Sequence, residues 1–161
     1  DPSVVTISAA GLIAPLKDGS TEVLVTDGAV RLSVPVMVSG IADPVPVSFH
    51  QDVIPILSKA GCNSGGCHGK AEGQNGFKLS VFGFDAAGDF DAIVKEGRGR
   101  RVFPAAPESS LLIAKATGRV PHGGGIKIER GSAWHRRLIR WMNEGLRLDE
   151  EAGDSVVEVL V

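Results

Sequence analysis

Both cysteines of the chain lie in one glycine-rich stretch, 61–69, which reads GCNSGGCHG. His68 directly follows Cys67, and four residues separate Cys67 from Cys62. Two cysteines followed by a histidine, in the form C-x-x-C-H, mark covalent haem attachment: the thiols bond to the haem vinyl groups and the imidazole takes an axial position on iron. The stretch therefore predicts a haem c site whose cysteine gap is longer than usual.

The longer gap is compatible with attachment because residues 63–66 are small and include a glycine pair that can adopt positive φ, letting the loop bulge outward. Two other interpretations of the same residues remain open. Cys62 and Cys67 could form a disulfide, or they could belong to a structural metal site, with His68 incidental in both cases. A zinc site would lack ligands, because closed structural sites use four Cys or His side chains.

Composition and charge narrow the classes of function. The 161 residues allow one ordinary domain or two small ones, and a 5% aromatic content without tyrosine leaves apolar volume that a buried prosthetic group would supply. A net charge of −2 with no basic stripe argues against nucleic acid. No apolar run approaches the roughly eighteen residues that cross a bilayer. The chain opens at Asp1 without a signal peptide, and we expect it to be part of a larger multidomain protein.

The first part of the chain has the pattern of β-structure. Apolar residues alternate with a period of two in the runs 21–26 and 30–38, as in half-buried strands. Asp27 and Gly28 separate these runs and predict a hairpin turn. Prolines punctuate the residues that follow. We therefore expect a β part over 1–42, a linker over 43–47 and a second domain over 48–149.

Four helices are expected in the second domain. Asp52 would cap the first, which ends at Gly61 just before the cysteine pair. Asp89 would cap the second, and residues 107–118 would form the third. The strongest pattern follows Ser132 as N-cap. Its apolar face recurs at helical spacing and comprises Trp134, Leu138, Trp141 and Gly145.

Two further segments contain candidate haem contacts. The aromatic, glycine-rich loop 74–85 would pack its phenylalanines against a flat apolar surface, and Phe82 is the candidate for a haem face; an ordinary core satellite is the other interpretation. Arg101 belongs to the cluster Arg98, Arg100 and Arg101, in which a guanidinium could pair with a haem propionate. A solvated run of charges explains the same cluster.

The chain also resembles known families. Residues 47–147 resemble the planctomycete-type cytochrome c domain through VSFHQDVIPILSKAGCNSGGCHGKAEGQNGFKLSVFGFD, GRRVFPAAPESSLLIAKATGRVPHGGG and RWMNEGL. Residues 1–40 resemble part of a bacterial immunoglobulin-like (group 2) module through VVTISAAGLIAPLKDGSTEVLVTDG and VPVMVSG. The resemblance implies an α+β chain with a mainly helical cytochrome c-like domain, one covalent haem c and an extracytoplasmic location, periplasmic or at the cell surface. The tail, 150–161, ends in DSVVEVLV, which alternates like a strand, and we expect it to pair with the N-terminal β part.

The resemblance implies that His68 is the proximal iron ligand. For the sixth position the chain offers His50, His122, His135, Met37 and Met142. We expect His122, within VPHGGG, because Val120-Pro121 stands where ordinary cytochromes c place a Met-Pro pair; Met142 and an empty site are the alternatives. His50 and His135 are interpreted as surface or capping residues.

The expected function is electron transfer by a bis-histidine haem of fairly low reduction potential, because methionine ligation would raise the potential. The chain would then not be an enzyme, and it would act with redox partner proteins that the sequence does not identify. Two alternatives stay open: a haem enzyme or gas sensor with an open sixth site, and an immunoglobulin-type scaffold with a Cys62–Cys67 disulfide.

Overall fold

The computed structural model describes residues 1–149. The chain divides into two compact units, Asp1–Val45 and a second that begins at Pro46. This division falls inside the proline-containing segment expected to be a linker. Strands form the first unit and short helices the second, so the chain is α+β. The predicted C-terminal strand, 150–161, lies outside the described residues.

The first unit contains four strands: β1 (Val5–Ile7), β2 (Ile13–Pro15), β3 (Gly19–Asp27) and β4 (Val30–Val38). β1 pairs with β2 and β3 pairs with β4, both antiparallel, giving two two-stranded sheets. Asp27 lies opposite Val30, and Gly28 has φ of 55°, which suits glycine in a tight turn. The hairpin predicted at Asp27-Gly28 is confirmed.

The core of the first unit is small. Val4, Val5 and Val23 are buried, and two valines of β4 pack against them. The alternation predicted half-buried strands, yet Val25 is 51% exposed and Leu32, its partner across the hairpin, is 60% exposed. The part of this hairpin face that lies nearest the turn therefore stays exposed, because the described strands are too few to cover it.

Within residues 46–149 the second unit has four α-helices: α1 (Ile54–Lys59), α2 (Ala86–Val94), α3 (Leu111–Ala116) and α4 (Ala133–Asn143). They contain six, nine, six and eleven residues, and loops and single turns make up much of the remainder. The expectation of a mainly helical domain is therefore not borne out. Glycines with positive φ recur between the helices, at Gly61, Gly73, Gly97 and Gly118 among others, and end each run of helical backbone early.

Two helix caps lie upstream of the predicted ones. The Ser48 hydroxyl, not Asp52, caps the helical turn Phe49–Val53 that leads into α1, by accepting a hydrogen bond from the Gln51 N–H. The Asp52 carboxylate in turn accepts a hydrogen bond from the Ser48 N–H at 2.9 Å. Asp85, not Asp89, caps α2. Asp89 is buried, and its carboxylate accepts hydrogen bonds from the Ser80 N–H and hydroxyl. Each correct cap has a second acidic or hydroxyl residue four positions away, so the pattern alone could not choose between them.

An aromatic cluster forms the centre of the second unit. The rings of Phe49 and Phe90 lie 5.3 Å apart, and the Trp141 ring lies 5.4 Å from that of Phe49. Leu138 and Trp141 are fully buried, as the helical pattern predicted for α4. Trp134, placed on the same face by that pattern, is instead 37% exposed because it lies in the first turn, beyond the edge of the core.

Candidate functional site

A cavity of about 510 Å³ opens in the second unit. Both cysteines, His68 and His122 line it. Its size falls within the range of roughly 300–1,000 Å³ typical of small-molecule and cofactor sites. The apolar side chains of its wall are Leu57, Phe77, Leu79, Leu111, Leu112 and Ala116. The structure thus brings His122 to the predicted attachment stretch, although it lies 54 residues after His68.

The end of α1 positions Cys62. The Gly61 N–H donates to the Ser58 carbonyl at 3.0 Å, and the Cys62 N–H donates to the Leu57 carbonyl at 2.8 Å. Gly61 has φ of 73°, so these bonds form a Schellman motif that needs glycine at its centre. The helix end fixes the backbone of Cys62 against Leu57, which lines the same cavity.

The loop between the cysteines closes on itself. The His68 N–H donates to the Cys62 carbonyl at 3.0 Å, and the Cys67 N–H donates to the Ser64 carbonyl at 2.9 Å. The backbones of Cys62 and His68 therefore remain hydrogen-bonded to each other despite the four residues between the cysteines. The longer cysteine gap is absorbed as a compact turn.

The glycine that this loop requires is not one of the predicted pair. Gly65 and Gly66 do not have positive φ, and a Cβ on either would meet no atom within 4 Å. A Cβ on Gly69 would instead overlap the Asn63 carbonyl oxygen and lie 2.8 Å from that of Ser64. The close approach of two backbone segments at Gly69, and not freedom of φ in the gap, is what the loop needs.

His68 is held in a single tautomer. Its Nδ1 lies 2.9 Å from the Phe77 carbonyl oxygen, which can only accept, so Nδ1 carries the proton and Nε2 keeps its lone pair. Burial lowers the pKa of His68, although the hydrogen bond to Phe77 opposes this; the neighbouring His122 and Arg101 lower it further. The ring is therefore neutral at physiological pH, as a metal ligand must be.

His122 repeats this arrangement. Its Nδ1 donates to the Gly125 carbonyl oxygen at 2.8 Å, so Nε2 again keeps its lone pair. A Cβ on Gly124 would lie 3.2 Å from His122 Cε1 and 3.5 Å from Nε2, so only glycine leaves this nitrogen uncrowded. The HGGG sequence thus provides both the carbonyl that orients the imidazole and the space beside it.

The two imidazoles are aligned with each other. Their ring planes are 9° from parallel and their centroids are 6.4 Å apart. Two imidazole nitrogens on opposite sides of one metal ion, each at ~2.0–2.1 Å, place the ring centres roughly 6.3–6.5 Å apart. The centroid separation would allow both imidazoles to bind one metal ion, and the residues present fit a haem, which Cys62, Cys67, His68 and His122 would hold.

The charged residues of the cavity wall are all cationic: Arg100, Arg101, Lys115 and Lys127. Arg101 is 8% exposed and donates hydrogen bonds to the carbonyls of Ala92 at 2.6 Å and Gly76 at 2.8 Å. It is therefore not part of a solvated run of charges. Its donors are also largely committed to backbone carbonyls, which argues against the propionate pairing expected of Arg101.

Phe82 is not where the sequence placed it. Its ring is 76% exposed and does not line the cavity; Phe77 from the same loop does. A Cβ on Gly83 would overlap the Ile54 side chain, so at this turn it is backbone that packs against the protein. Phe82, with φ of 56°, is consequently turned toward solvent.

The other candidate axial ligands do not line the cavity. Met142 is 1% exposed within the core, where its sulfur accepts a hydrogen bond from a serine hydroxyl. His135 was expected to be a surface or capping residue; it is 3% exposed, its Nδ1 accepts a hydrogen bond from the Gly131 N–H at 3.3 Å, and its Nε2 lies 3.4 Å from Glu108 Oε2. His50 packs beside the aromatic cluster, and Met37 is 82% exposed in the first unit.

The Cys62 thiol has low nucleophilic reactivity in the folded chain. Burial raises its pKa to about 11, with Lys127 opposing the shift and Cys67 adding to it. At pH 8 the thiolate fraction should fall roughly 100-fold below that of an unperturbed cysteine. We therefore expect iodoacetamide to modify Cys62 about that much more slowly in the folded chain than in urea, as followed by peptide mass spectrometry. Equal rates in the two conditions would contradict the buried placement.

Some groups of this site could not be identified from the sequence. The carbonyls of Phe77 and Gly125 orient both imidazoles, but a backbone acceptor has no residue signature. Lys115 and Lys127 are isolated in sequence and join the site only through folding.

Among residues 1–149 no group of three or more His, Cys, Asp or Glu side chains is arranged to hold a bare metal ion. Within the same residues no helix has the length and apolar content required to cross a membrane. Both cysteines are free thiols. Comparison with models of known families, with curated proteins and with solved structures found no match.

Proposed function

We propose that the second unit is a mono-haem c-type cytochrome module that transfers electrons, with His68 and His122 as the two axial ligands. The observation that carries this proposal is the pair of near-parallel imidazoles, 6.4 Å apart across one cavity, each with its Nδ1 bound to a carbonyl. When both axial positions are occupied, no position is left for a substrate on iron. This favours electron transfer over a haem enzyme or gas sensor.

The residues around the cavity have distinct tasks in this proposal. Cys62 and Cys67 would anchor the cofactor covalently beside His68, and the apolar wall would exclude water. Haem, when bound, supplies a one-electron couple that the chain itself lacks. Two imidazoles favour the ferric state more than imidazole with thioether does, so we expect a fairly low reduction potential.

The cationic wall suits the two carboxylates that haem carries. Arg100, Lys115 and Lys127 line the cavity, and no acidic residue does. The guanidinium of Arg100 can meet a carboxylate through two parallel hydrogen bonds, whereas the lysines act as point charges. Charge complementarity is therefore an argument for haem that is independent of the imidazole geometry.

Thioether attachment of haem takes place outside the cytoplasm, so we also propose an extracytoplasmic location. The electron donor and acceptor would be redox proteins of that compartment. The resemblance of residues 47–147 to planctomycete-type cytochrome c domains supports the same assignment.

Mass spectrometry tests the proposal. The chain is produced together with haem-attachment machinery, denatured and weighed, beside the single variants Cys62→Ser and Cys67→Ser and the double variant. We expect the wild type to keep the mass of one haem after denaturation and acid–acetone extraction, and the double variant to lose it. Each single variant reports whether its partner cysteine also forms a bond.

Two results would count against the proposal. A wild-type mass without haem, two hydrogens below that of the reduced chain, would identify a Cys62–Cys67 disulfide and a non-haem scaffold. A haem-loaded protein that is high-spin and binds carbon monoxide readily would identify an open sixth site, as in a haem enzyme or gas sensor.

A further inference from the structure

Arg101 is a buried cation that joins two segments of the second unit. One guanidinium nitrogen, Nη1, donates to the Ala92 carbonyl in α2 at 2.6 Å, and the other, Nη2, donates to the Gly76 carbonyl at 2.8 Å. The planar fork thus ties the turn that precedes Phe77 to a helix. Lysine, with a single nitrogen, could not span both carbonyls in the same way.

The same guanidinium also contacts Phe77 itself. Its central carbon lies 4.5 Å from the centroid of the Phe77 ring, a cation–π distance. The Phe77 ring centroid is in turn 4.5 Å from that of His68. Arg101, Phe77 and His68 therefore form a continuous row of contacts along the cavity wall.

The Phe77 carbonyl is the point at which this row of contacts acts on His68. That oxygen accepts from His68 Nδ1 at 2.9 Å and from the Gln74 N–H at 2.9 Å, so both of its lone pairs are used. Fixing residues on both sides of this carbonyl fixes its direction. Partners of this kind orient a ligating histidine and tune its metal.

An ion pair does not explain the burial of Arg101. The nearest carboxylate contact given by the structure is Glu96 Oε2, 4.0 Å from Nη1, and the Glu96 side chain is 57% exposed. An ion pair at this distance, with so exposed a carboxylate, contributes little to stability. A buried cation, in contrast, is costly unless hydrogen-bond acceptors satisfy its donors. Backbone carbonyls satisfy the donors of Arg101, and one of them belongs to Gly76, next to the residue whose carbonyl binds His68.

We propose that Arg101 is the positioning residue for His68: by holding the Gly76–Phe77 segment it fixes the tautomer and the direction of the imidazole. This inference rests on the proposed haem function, in which His68 is an iron ligand, and it gives Arg101 a role other than propionate binding.

The test compares Arg101→Gln and Arg101→Lys with the wild type by imidazole ¹⁵N NMR of the folded chain without haem. We expect His68 to be the Nδ1–H tautomer in the wild type and a mixture of the two tautomers in each variant. Arg101→Lys is decisive because it keeps the charge and loses the fork. Arg98→Lys, at an exposed arginine outside the cavity wall, is the matched control and should keep the wild-type tautomer.

This readout is made without haem because iron at Nε2 would by itself leave the proton on Nδ1. If the arginine variants fail to fold, Phe77→Leu keeps the carbonyl but removes the ring that contacts Arg101, and should show a smaller fraction of the second tautomer.

An unchanged His68 tautomer in the folded variants would overturn the inference. Loss of thermal stability with an unchanged tautomer would likewise overturn it, since Arg101 would then be merely structural. Absence of haem from every preparation made with haem-attachment machinery would sink the proposed function alone, because the tautomer measurement still decides the role of Arg101.

Discussion

Replacing His122 by alanine in the haem-loaded protein is expected to convert ferric iron from low-spin to high-spin. His122 is the second imidazole of the cavity, with its Nδ1 held by Gly125, and apart from His68 and His122 no histidine or methionine of residues 1–149 lines that cavity. The low-spin signature of two imidazoles should therefore be lost, since no third imidazole or thioether is at hand. Optical and paramagnetic spectra before and after substitution measure it.

The variant should also gain an open position on iron. We expect it to bind carbon monoxide and cyanide, which the wild type should resist, and added imidazole should restore the low-spin spectrum. His50→Ala is the matched control, because His50 lies beside Phe49 and away from the cavity wall. A low-spin spectrum that persists unchanged in His122→Ala would show that a group other than His122 occupies the sixth position.

Substituting Gly69 by alanine is expected to disrupt the attachment loop. The new Cβ would overlap the Asn63 carbonyl oxygen and crowd that of Ser64, both of which are backbone atoms that cannot turn aside. Overpacking of this kind usually costs about 1–3 kcal/mol and sometimes more. We expect a loss of about 3 kcal/mol in the free energy of unfolding, measured by urea denaturation, with a marked fall in haem incorporation.

Gly65→Ala provides the matched control within the same loop. Its Cβ would meet no atom within 4 Å and its φ is not positive, so alanine should be tolerated. A glycine replaced at a compatible position can even add about 0.4–1 kcal/mol, by restricting the unfolded chain. Equal unfolding midpoints for the two variants would mean that the close approach at Gly69 does not hold the loop together.

The hairpin and the last helix were predictable because each depends on local residue types. Asp27-Gly28 and the capping serine mark their positions directly, and a helical stripe marks the buried face at Leu138 and Trp141. His122 was predicted to lie near His68 because Val120-Pro121 stands where ordinary cytochromes c place a Met-Pro pair. The structure brings it there.

The rest could not be predicted because it depends on packing between distant segments. Phe82 and Phe77 have the same side chain in the same loop, and only the fit of Gly83 against Ile54 decides which ring faces solvent. Arg101 sits among two other arginines, and its burial depends on carbonyls that carry no sequence mark. The length of the helices likewise depends on glycines whose φ is set by tertiary contacts.

The two halves of the cavity differ in how far apart their parts lie along the chain. Cys62, Cys67 and His68 fall within seven consecutive residues and are joined by their own backbone bonds, whereas His122 lies beyond α3 in the chain. Closing so long a connection is slower than forming a local turn. The cysteine loop should therefore reach its final arrangement during folding before His122 joins it.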